Sequence, residues 1–148
     1  MIEVLPKVPT PERISHELAQ AHEELQSASD DVAKNRHNAA ISSCYYACLH
    51  AARAVLYHHG LMPATHKGVT VQFHQHLVRT GVLSEEWGNL LDEQRSERDL
   101  ADYHSYSRSI TSEETGHLLE QARRFVAKME EVIQVDRPAG ERAATTST

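Results

Sequence analysis

The sequence has few of the residues that mark disulfide-rich or membrane-spanning proteins. Its two cysteines, Cys44 and Cys48, are four residues apart on a predicted helix, a spacing that is too wide for an unstrained disulfide. No apolar run approaches the roughly 18 residues that a membrane span needs, and segment 1–13 lacks the apolar core of a signal peptide. We therefore expect a cytoplasmic protein with reduced, buried cysteines and no membrane association.

Positive charge is also scarce. The 15 Lys and Arg residues are outnumbered by 21 Asp and Glu residues, which gives a net charge of −6. Because neutralising many phosphates needs an excess of cations, this balance argues against a protein that wraps long nucleic acid non-specifically. A small cleft with a few arginines facing one phosphate remains possible. Tyr45 and Tyr46 can stack a base, although Tyr45 falls on the apolar side of its helix and is predicted to be core.

Histidine is abundant, with 11 residues, but its spacing does not predict a metal site. His74 and His76 are two residues apart on a predicted helix and point in different directions, and His58 and His59 diverge by about 100°. The zinc-protease helix motif and the paired Glu-x-x-His motifs of di-iron bundles are both missing from the sequence. A glycine-rich phosphate loop is missing as well. We predict surface histidines, no metal and no cofactor.

Helical periodicity covers most of the chain. Thr10 and Pro11 predict a capped first helix, in which apolar residues recur in steps of four and three. A second helix is predicted over 36–59 with Gly60 as its terminator, and its many small residues predict that it is the central helix. Segment 111–114, TSEE, is a capping box that begins the last helix. The predicted fold is all-α, an antiparallel up-and-down bundle of four to five helices without strands.

The same patterns divide the chain into three parts. Residues 1–11 form an N-terminal extension, and residues 12–135 form one helical domain of ordinary size. Residues 136–148, DRPAGERAATTST, have no periodicity, and we expect them to be disordered.

Four blocks follow one another along the helical domain: SSCYYACLHAARAVLYHHGL, THKGVTVQFHQHLVRTGVL, RDLADY and SEETGHLLEQARRFV. In their order and spacing they resemble the HEPN domain family, and more narrowly the small stand-alone HEPN proteins of bacteria and archaea. The resemblance covers about residues 12–135. It implies a helical bundle that pairs as a homodimer. In many members it also implies a metal-independent endoribonuclease, the toxin of a pair whose antitoxin is a minimal nucleotidyltransferase.

The resemblance also implies site residues. The active motif of the family is an arginine, usually followed by a polar residue, with a histidine shortly after. Arg98, Asp99 and His104 fit this pattern, so Arg98 and His104 are the catalytic candidates and Asp99 is a supporting residue. Tyr106 completes a His-x-Tyr ending and is the candidate for adenylylation by the partner enzyme. In the expected reaction the RNA 2′-hydroxyl attacks phosphorus while the histidine moves protons and the arginine stabilises charge.

Two features support an alternative. On a continuous helix Arg98 and His104 lie about 120° apart, so they converge only if the helix breaks near Asp102 and Tyr103 or if a second chain completes the site. Arg98 and Asp102 then form an ordinary ion pair. Related proteins also read Arg-x-x-Ala-Asp-Tyr without histidine, as residues 98–103 do, which would give Tyr103 the place of the histidine. The alternatives are a non-catalytic module that binds RNA or nucleotide or docks a nucleotidyltransferase, and a dimerisation scaffold.

Overall fold

The structure, a computed structural model, describes residues 9–103 and 109–135. These residues form five α-helices and no β-strand, which confirms the predicted all-α bundle. The helices are α1 (Pro11–Ala33), α2 (His37–His58), α3 (His66–Phe73), α4 (Glu85–Tyr103) and α5 (Ser112–Val135), and α3 continues into a π-helical segment, His74–Val78. The predicted tail, 136–148, and residues 1–8 of the predicted extension lie outside the described residues.

The residues that were predicted as helix caps and terminators determine where the helices begin and end. The Thr10 hydroxyl accepts a hydrogen bond from the Arg13 amide at 3.2 Å, and the Thr111 hydroxyl accepts one from the Glu114 amide at 3.1 Å. Each bond satisfies an amide that has no partner within its helix. Gly60 follows α2 and terminates the helix. Its φ of 82° is a backbone conformation that residues with a Cβ rarely adopt.

Helix α2 lies at the centre of the bundle and contacts each of the other four helices. Twelve of its 22 residues are buried, among them Ala47, Ala51 and Ala54. Since alanine adds only a methyl group to the helix surface, neighbouring backbones can pack close to α2 on several sides. The prediction that this helix is central is confirmed.

The core contains the largest apolar side chains and both cysteines. Phe73 and Phe125 pack with their ring centroids 5.7 Å apart, and Cys44 and Cys48 are buried and free. Burial raises the pKa of the Cys44 thiol to about 12, and burial together with Cys44 raises the pKa of Cys48 well above its usual value. Both thiols are therefore protonated, apolar core groups, as predicted.

Helices α2, α3 and α4 contact one another on one side of the bundle. This arrangement brings the polar side of α2, the first turn of α3 and the second half of α4 into one region. Among the described helices, none combines the length and the hydrophobicity that a membrane span needs.

Candidate functional site

Arg98 projects from α4 onto two tyrosine rings of α2. Its Cζ lies 5.3 Å from the centroid of the Tyr46 ring and 5.6 Å from that of Tyr45, within the range of cation–π attraction. Its Nε is 3.3 Å from the Asp102 carboxylate but makes no hydrogen bond to any described group. The ion pair expected from the four-residue spacing is therefore present, and the two rings position the guanidinium in addition. With 29% of the side chain exposed, Arg98 can still reach a ligand.

The two tyrosines differ in their exposure to solvent. Tyr45 is buried, as predicted, and burial raises the pKa of its hydroxyl although the charges of Arg95 and Arg98 oppose that change. Tyr46 is partly exposed, and its ring centroid is 5.4 Å from that of Tyr45. Tyr45 thus anchors the arrangement in the core, whereas Tyr46 presents an aromatic surface that a nucleotide base can stack on.

His66, the first residue of α3, contacts the same ring. The imidazole and the Tyr46 ring meet edge to face, with centroids 5.8 Å apart and an angle of 72° between the planes. Partial burial lowers the pKa of His66, and the positive charges of nearby side chains lower it further. Those charges belong to Arg53, Arg98, His50 and Arg95. Because its pKa is already below 6.5, His66 is predominantly neutral at pH 7 and can accept a proton.

Arg53 is held in this region by a buried acid on α1. Glu17 accepts a hydrogen bond from Arg53 Nη1 at 3.4 Å and pairs with His50 Nδ1 at 2.6 Å. Burial by itself would raise the pKa of Glu17, but the hydrogen bond with His50 and the charges of Arg53 and His50 outweigh it and hold the pKa below its ordinary value. Glu17 is therefore ionised at neutral pH and restricts the position of Arg53.

We refer to Tyr46 and four side chains of this region as the Tyr46 cluster: His66 and Arg98, which contact the Tyr46 ring, and Arg53 and Arg95, whose charges act on His66. Three of these side chains are arginines, in a chain whose net charge is −6. The nearby carboxylates of Glu17, Asp99 and Asp102 balance part of this charge. A planar guanidinium beside a partly exposed aromatic ring is suited to a phosphate group attached to a stacked base.

A comparison with known families identifies the fold. The model of the HEPN domain matches residues 15–132, which is most of the chain. The chain belongs to the HEPN domain family. The resemblance seen in the sequence is thereby confirmed.

Two archaeal proteins are similar to this chain in sequence. A protein of Methanocaldococcus jannaschii named "Putative toxin MJ0605" is 29% identical over 118 residues, 79% of this chain and 87% of that protein. A protein of Pyrococcus horikoshii named "UPF0332 protein PH1297" is 32% identical over 90 residues. That alignment covers 61% of this chain and 63% of the Pyrococcus protein, so it leaves more than a third of the relative unmatched.

The residues predicted from the HEPN motif are placed as follows. Arg98 and Asp102 are brought together, and Asp99 is exposed. Tyr103 is 85% exposed, and none of the described contacts joins it to Arg98. Helix α4 continues through Tyr103, the last residue before the gap at 104–108. His104 and the modification candidate, Tyr106, lie outside the described residues.

Three members of the cluster were not predicted: Arg53, Arg95 and His66. A signal for two of them exists in the sequence. Tyr46, His50 and Arg53 recur in steps of four and three, which places a polar stripe along one side of the otherwise apolar helix α2. Arg95 precedes the motif arginine by one helical turn. His66 carries no such signal, because its proximity to Tyr46 depends on how α3 packs against α2.

An open groove elsewhere in the molecule suits a phosphate less well. It has a volume of about 310 Å³ and lies between α1 and α2, where it is lined by Glu12, Arg13, His16, Glu17 and Tyr57. Its two carboxylates oppose an anionic ligand. The described residues also contain no group of three His, Cys, Asp or Glu side chains that could hold a metal ion.

Proposed function

We propose that this HEPN protein is a metal-independent endoribonuclease that acts at the Tyr46 cluster, with residues 12–135 as the functional unit. The observation that supports this most strongly is the position of Arg98, the motif arginine. It stands beside a partly exposed tyrosine ring and among further arginines. A guanidinium can bind the scissile phosphate through two parallel hydrogen bonds while the ring stacks a neighbouring base.

The reaction uses a nucleophile that RNA itself carries. The 2′-hydroxyl loses a proton to a base, its oxygen bonds to phosphorus, and the bond to the 5′ oxygen breaks as that oxygen takes up a proton. The product ends in a 2′,3′-cyclic phosphate. Arg98 stabilises the charge that builds on phosphorus, and Asp102 and Asp99 support its orientation. His104 is proposed to transfer a proton, in keeping with the unperturbed pKa of histidine near neutrality.

We propose that the active form is a homodimer. Tyr103 and Leu100 are exposed by 85% and 44% on α4, close in sequence to Arg98. Large exposed apolar groups that lie next to each other often mark an interface, and this one would pair the α4 helices of two chains. Light scattering on the purified protein tests this. Tyr103→Ser combined with Leu100→Ser should give monomers, while the same change at Val82, exposed by 44% on another part of the surface, should leave dimers.

The biological role we propose is that of a cytoplasmic toxin paired with a minimal nucleotidyltransferase antitoxin. The name of the Methanocaldococcus relative supports the toxin part of this proposal. The partner would transfer AMP to Tyr106. Intact-mass spectrometry after co-expression should show added AMP on the wild type and none on Tyr106→Phe. Co-expression with a partner that leaves the mass of the wild type unchanged would contradict the modification.

The ribonuclease proposal is tested with purified protein and single-stranded RNA in the presence of EDTA. The wild type should cut the RNA to fragments ending in a 2′,3′-cyclic phosphate and should leave the matching DNA intact, because DNA lacks the 2′-hydroxyl. His104→Ala should lower the cleavage rate at least about 100-fold. Equal inactivity of both proteins would disprove the ribonuclease.

The second candidate is a module that binds RNA or nucleotide without cutting it. It is favoured by the reading of residues 98–103 as Arg-x-x-Ala-Asp-Tyr and by the ion pair between Arg98 and Asp102. In that case RNA binds at the Tyr46 cluster and remains intact over long incubation. Filter binding and cleavage measured on the same samples distinguish the two candidates.

A further inference from the structure

Tyr46 has two chemically different neighbours from two different helices. The guanidinium of Arg98, from α4, lies 5.3 Å from the ring centroid, and the imidazole of His66, from α3, lies 5.8 Å from it. A cation that binds phosphate and a group that accepts a proton therefore contact the same ring. Cleavage of RNA by its own 2′-hydroxyl uses both functions, together with an acid that protonates the leaving oxygen.

The first turn of α3 fixes the backbone of His66. Thr65 caps the helix, and its hydroxyl accepts a hydrogen bond from the Gly68 amide at 2.9 Å. The Thr65 carbonyl accepts another from Val69 at 3.0 Å. A Cβ on Gly68 would approach the Thr65 hydroxyl to 3.1 Å and the Pro63 ring to 3.4 Å, so the turn is closely packed. His66 itself is exposed to solvent.

The surroundings of His66 are cationic on both packed helices. The charged and titratable groups that face it are Tyr46, His50 and Arg53 of α2 and Arg95 and Arg98 of α4, with Lys67 next to it in α3. Glu17 and Asp102 engage Arg53 and Arg98, respectively. Partial burial and the neighbouring cations favour the neutral imidazole, which is the form that accepts a proton.

We infer that His66 is a catalytic residue that works with Arg98 on one RNA phosphate and acts as the general base. This inference rests on the proposed ribonuclease function and names a base that the motif does not contain. His66 takes the proton of the 2′-hydroxyl, whose oxygen then bonds to phosphorus. The bond from phosphorus to the 5′ oxygen breaks, and that oxygen receives its proton from water.

The test is the pH dependence of RNA cleavage in His66→Asn. The wild-type rate should decline as the pH falls below the ordinary histidine pKa of 6.5, because His66 becomes protonated and can no longer act as a base. His66→Asn should be slower by about 100-fold at pH 7 and should lack this acidic decline. Arg98→Gln should also be slow but should keep the decline. The matched control is His76→Asn, at an exposed histidine of the π-helical segment, which should behave as the wild type.

A second measurement does not depend on how stable the His66→Asn variant is. In the wild type, NMR titration of the His66 imidazole should give a pKa that rises when uridine 3′-monophosphate is added, since a bound phosphate stabilises the imidazolium. The His66 pKa should also rise in Arg98→Gln, because one repelling charge is removed. An unchanged pKa in both experiments would overturn the shared phosphate site.

The outcomes separate this inference from the ribonuclease proposal. A His66→Asn protein that cleaves RNA within about threefold of the wild type, with Arg98→Gln inactive, would overturn the role of His66 and leave the ribonuclease standing. A folded wild type that cleaves no RNA would overturn both. Loss of the acidic decline in His66→Asn alone supports the inference, because a purely structural role would lower the rate without changing its pH profile.

Discussion

Among the residues that the structure describes, two arginines lie over aromatic rings, and their surroundings differ. Arg98 lies 5.3 Å from Tyr46 between α2 and α4, and Arg124 lies 5.5 Å from Trp87 between α5 and α4. The distances are nearly equal. Carboxylates lie near both arginines, because Glu86 and Glu93 line the groove at Arg124 and Asp102 lies 3.3 Å from Arg98. The two sites differ in the exposure of the aromatic ring.

The comparison shows that a cation–π contact does not by itself make a binding site. At Trp87, which is only 9% exposed, the ring is part of the core. At Tyr46 the ring is partly exposed, Arg98 lies over it, and the charges of Arg53 and Arg95 act on the adjacent His66. Only the Tyr46 ring is open to solvent, so Arg98 marks the candidate site and Arg124 is its natural control.

The strongest test of this comparison exchanges each arginine for glutamine. Arg98→Gln should lower the rate of RNA cleavage about 100- to 1,000-fold, because the group that stabilises the transition-state charge is lost. Arg124→Gln should remain within about twofold of the wild type, since its groove takes no part in the reaction. Initial rates with a fluorescent RNA, measured on samples matched for folded content by circular dichroism, give both values. Equal losses in the two variants would contradict the distinction between the two arginines.

The next test concerns Arg53, whose charge is balanced by a buried acid. Glu17→Gln should lower the free energy of unfolding by about 1–3 kcal/mol, because His50 and Arg53 lose their charged partner. The control is Glu130→Gln, at the exposed pair of His22 and Glu130, which should cost about 0–1 kcal/mol. Urea denaturation measures both changes. A loss at Glu17 no larger than that at Glu130 would show that burial adds nothing to this interaction.

The same variant should change how stability depends on pH. The pKa of Glu17 is lower in the folded protein than its ordinary value of 4.5. Its contribution to stability is therefore complete above about pH 4.5 and is lost as the pH falls through the folded pKa. Below pH 4.5 the stability of Glu17→Gln should decline less steeply than that of the wild type.

A third test disturbs the packing of α4 against the π-helical segment, which contains no residue of the Tyr46 cluster. A Cβ at Gly88 would lie 2.6 Å from the His74 ring, which is paired with Asp92 at 3.0 Å. Gly88→Ala should therefore destabilise the protein by about 1–3 kcal/mol. Gly116→Ala on α5, where a Cβ meets no atom within 4 Å, should instead stabilise it by about 0.5–1 kcal/mol. Thermal unfolding distinguishes these signs, and cleavage per folded molecule should stay unchanged in both variants.

The smallest expected effect is on the salt dependence of RNA binding. Each phosphate contact to single-stranded nucleic acid contributes about 0.7 to the slope of log affinity against log salt concentration. Arg98→Gln should lower this slope by about that amount, and Arg124→Gln should not change it. Fluorescence anisotropy at several salt concentrations gives the slopes. A smaller slope for Arg124→Gln would mean that Arg124 contacts an RNA phosphate, which would contradict the distinction between the two arginines.

Most of the fold could be predicted because its signals are local. The caps at Thr10 and Thr111, the terminator Gly60 and the apolar periodicity all act within one or two helical turns. The position of α2 at the centre followed from its small residues. The family comparison confirmed the resemblance to HEPN domains. The assignment of Arg98 as the motif arginine rests on that resemblance and stays a prediction.

The rest of the candidate site required the packing of helices that are distant in sequence. His66 follows Tyr46 by twenty residues and meets it only because α3 packs against α2. Glu17 reaches His50 and Arg53 across the interface between α1 and α2. Sequence periodicity shows which side of a helix is apolar, but it does not show which polar side chains of different helices will come together.

For this protein, the sequence by itself determined the helices, their order and the family, because hydrogen-bonded caps, glycine conformations and apolar spacing act over short distances along the chain. Only the tertiary structure decided that an acidic protein brings Arg98 and His66 to one tyrosine ring, with the charges of Arg53 and Arg95 acting on that histidine. The reason is that the interaction energy of two charged groups depends on the distance between them, and for residues far apart in sequence only folding sets that distance.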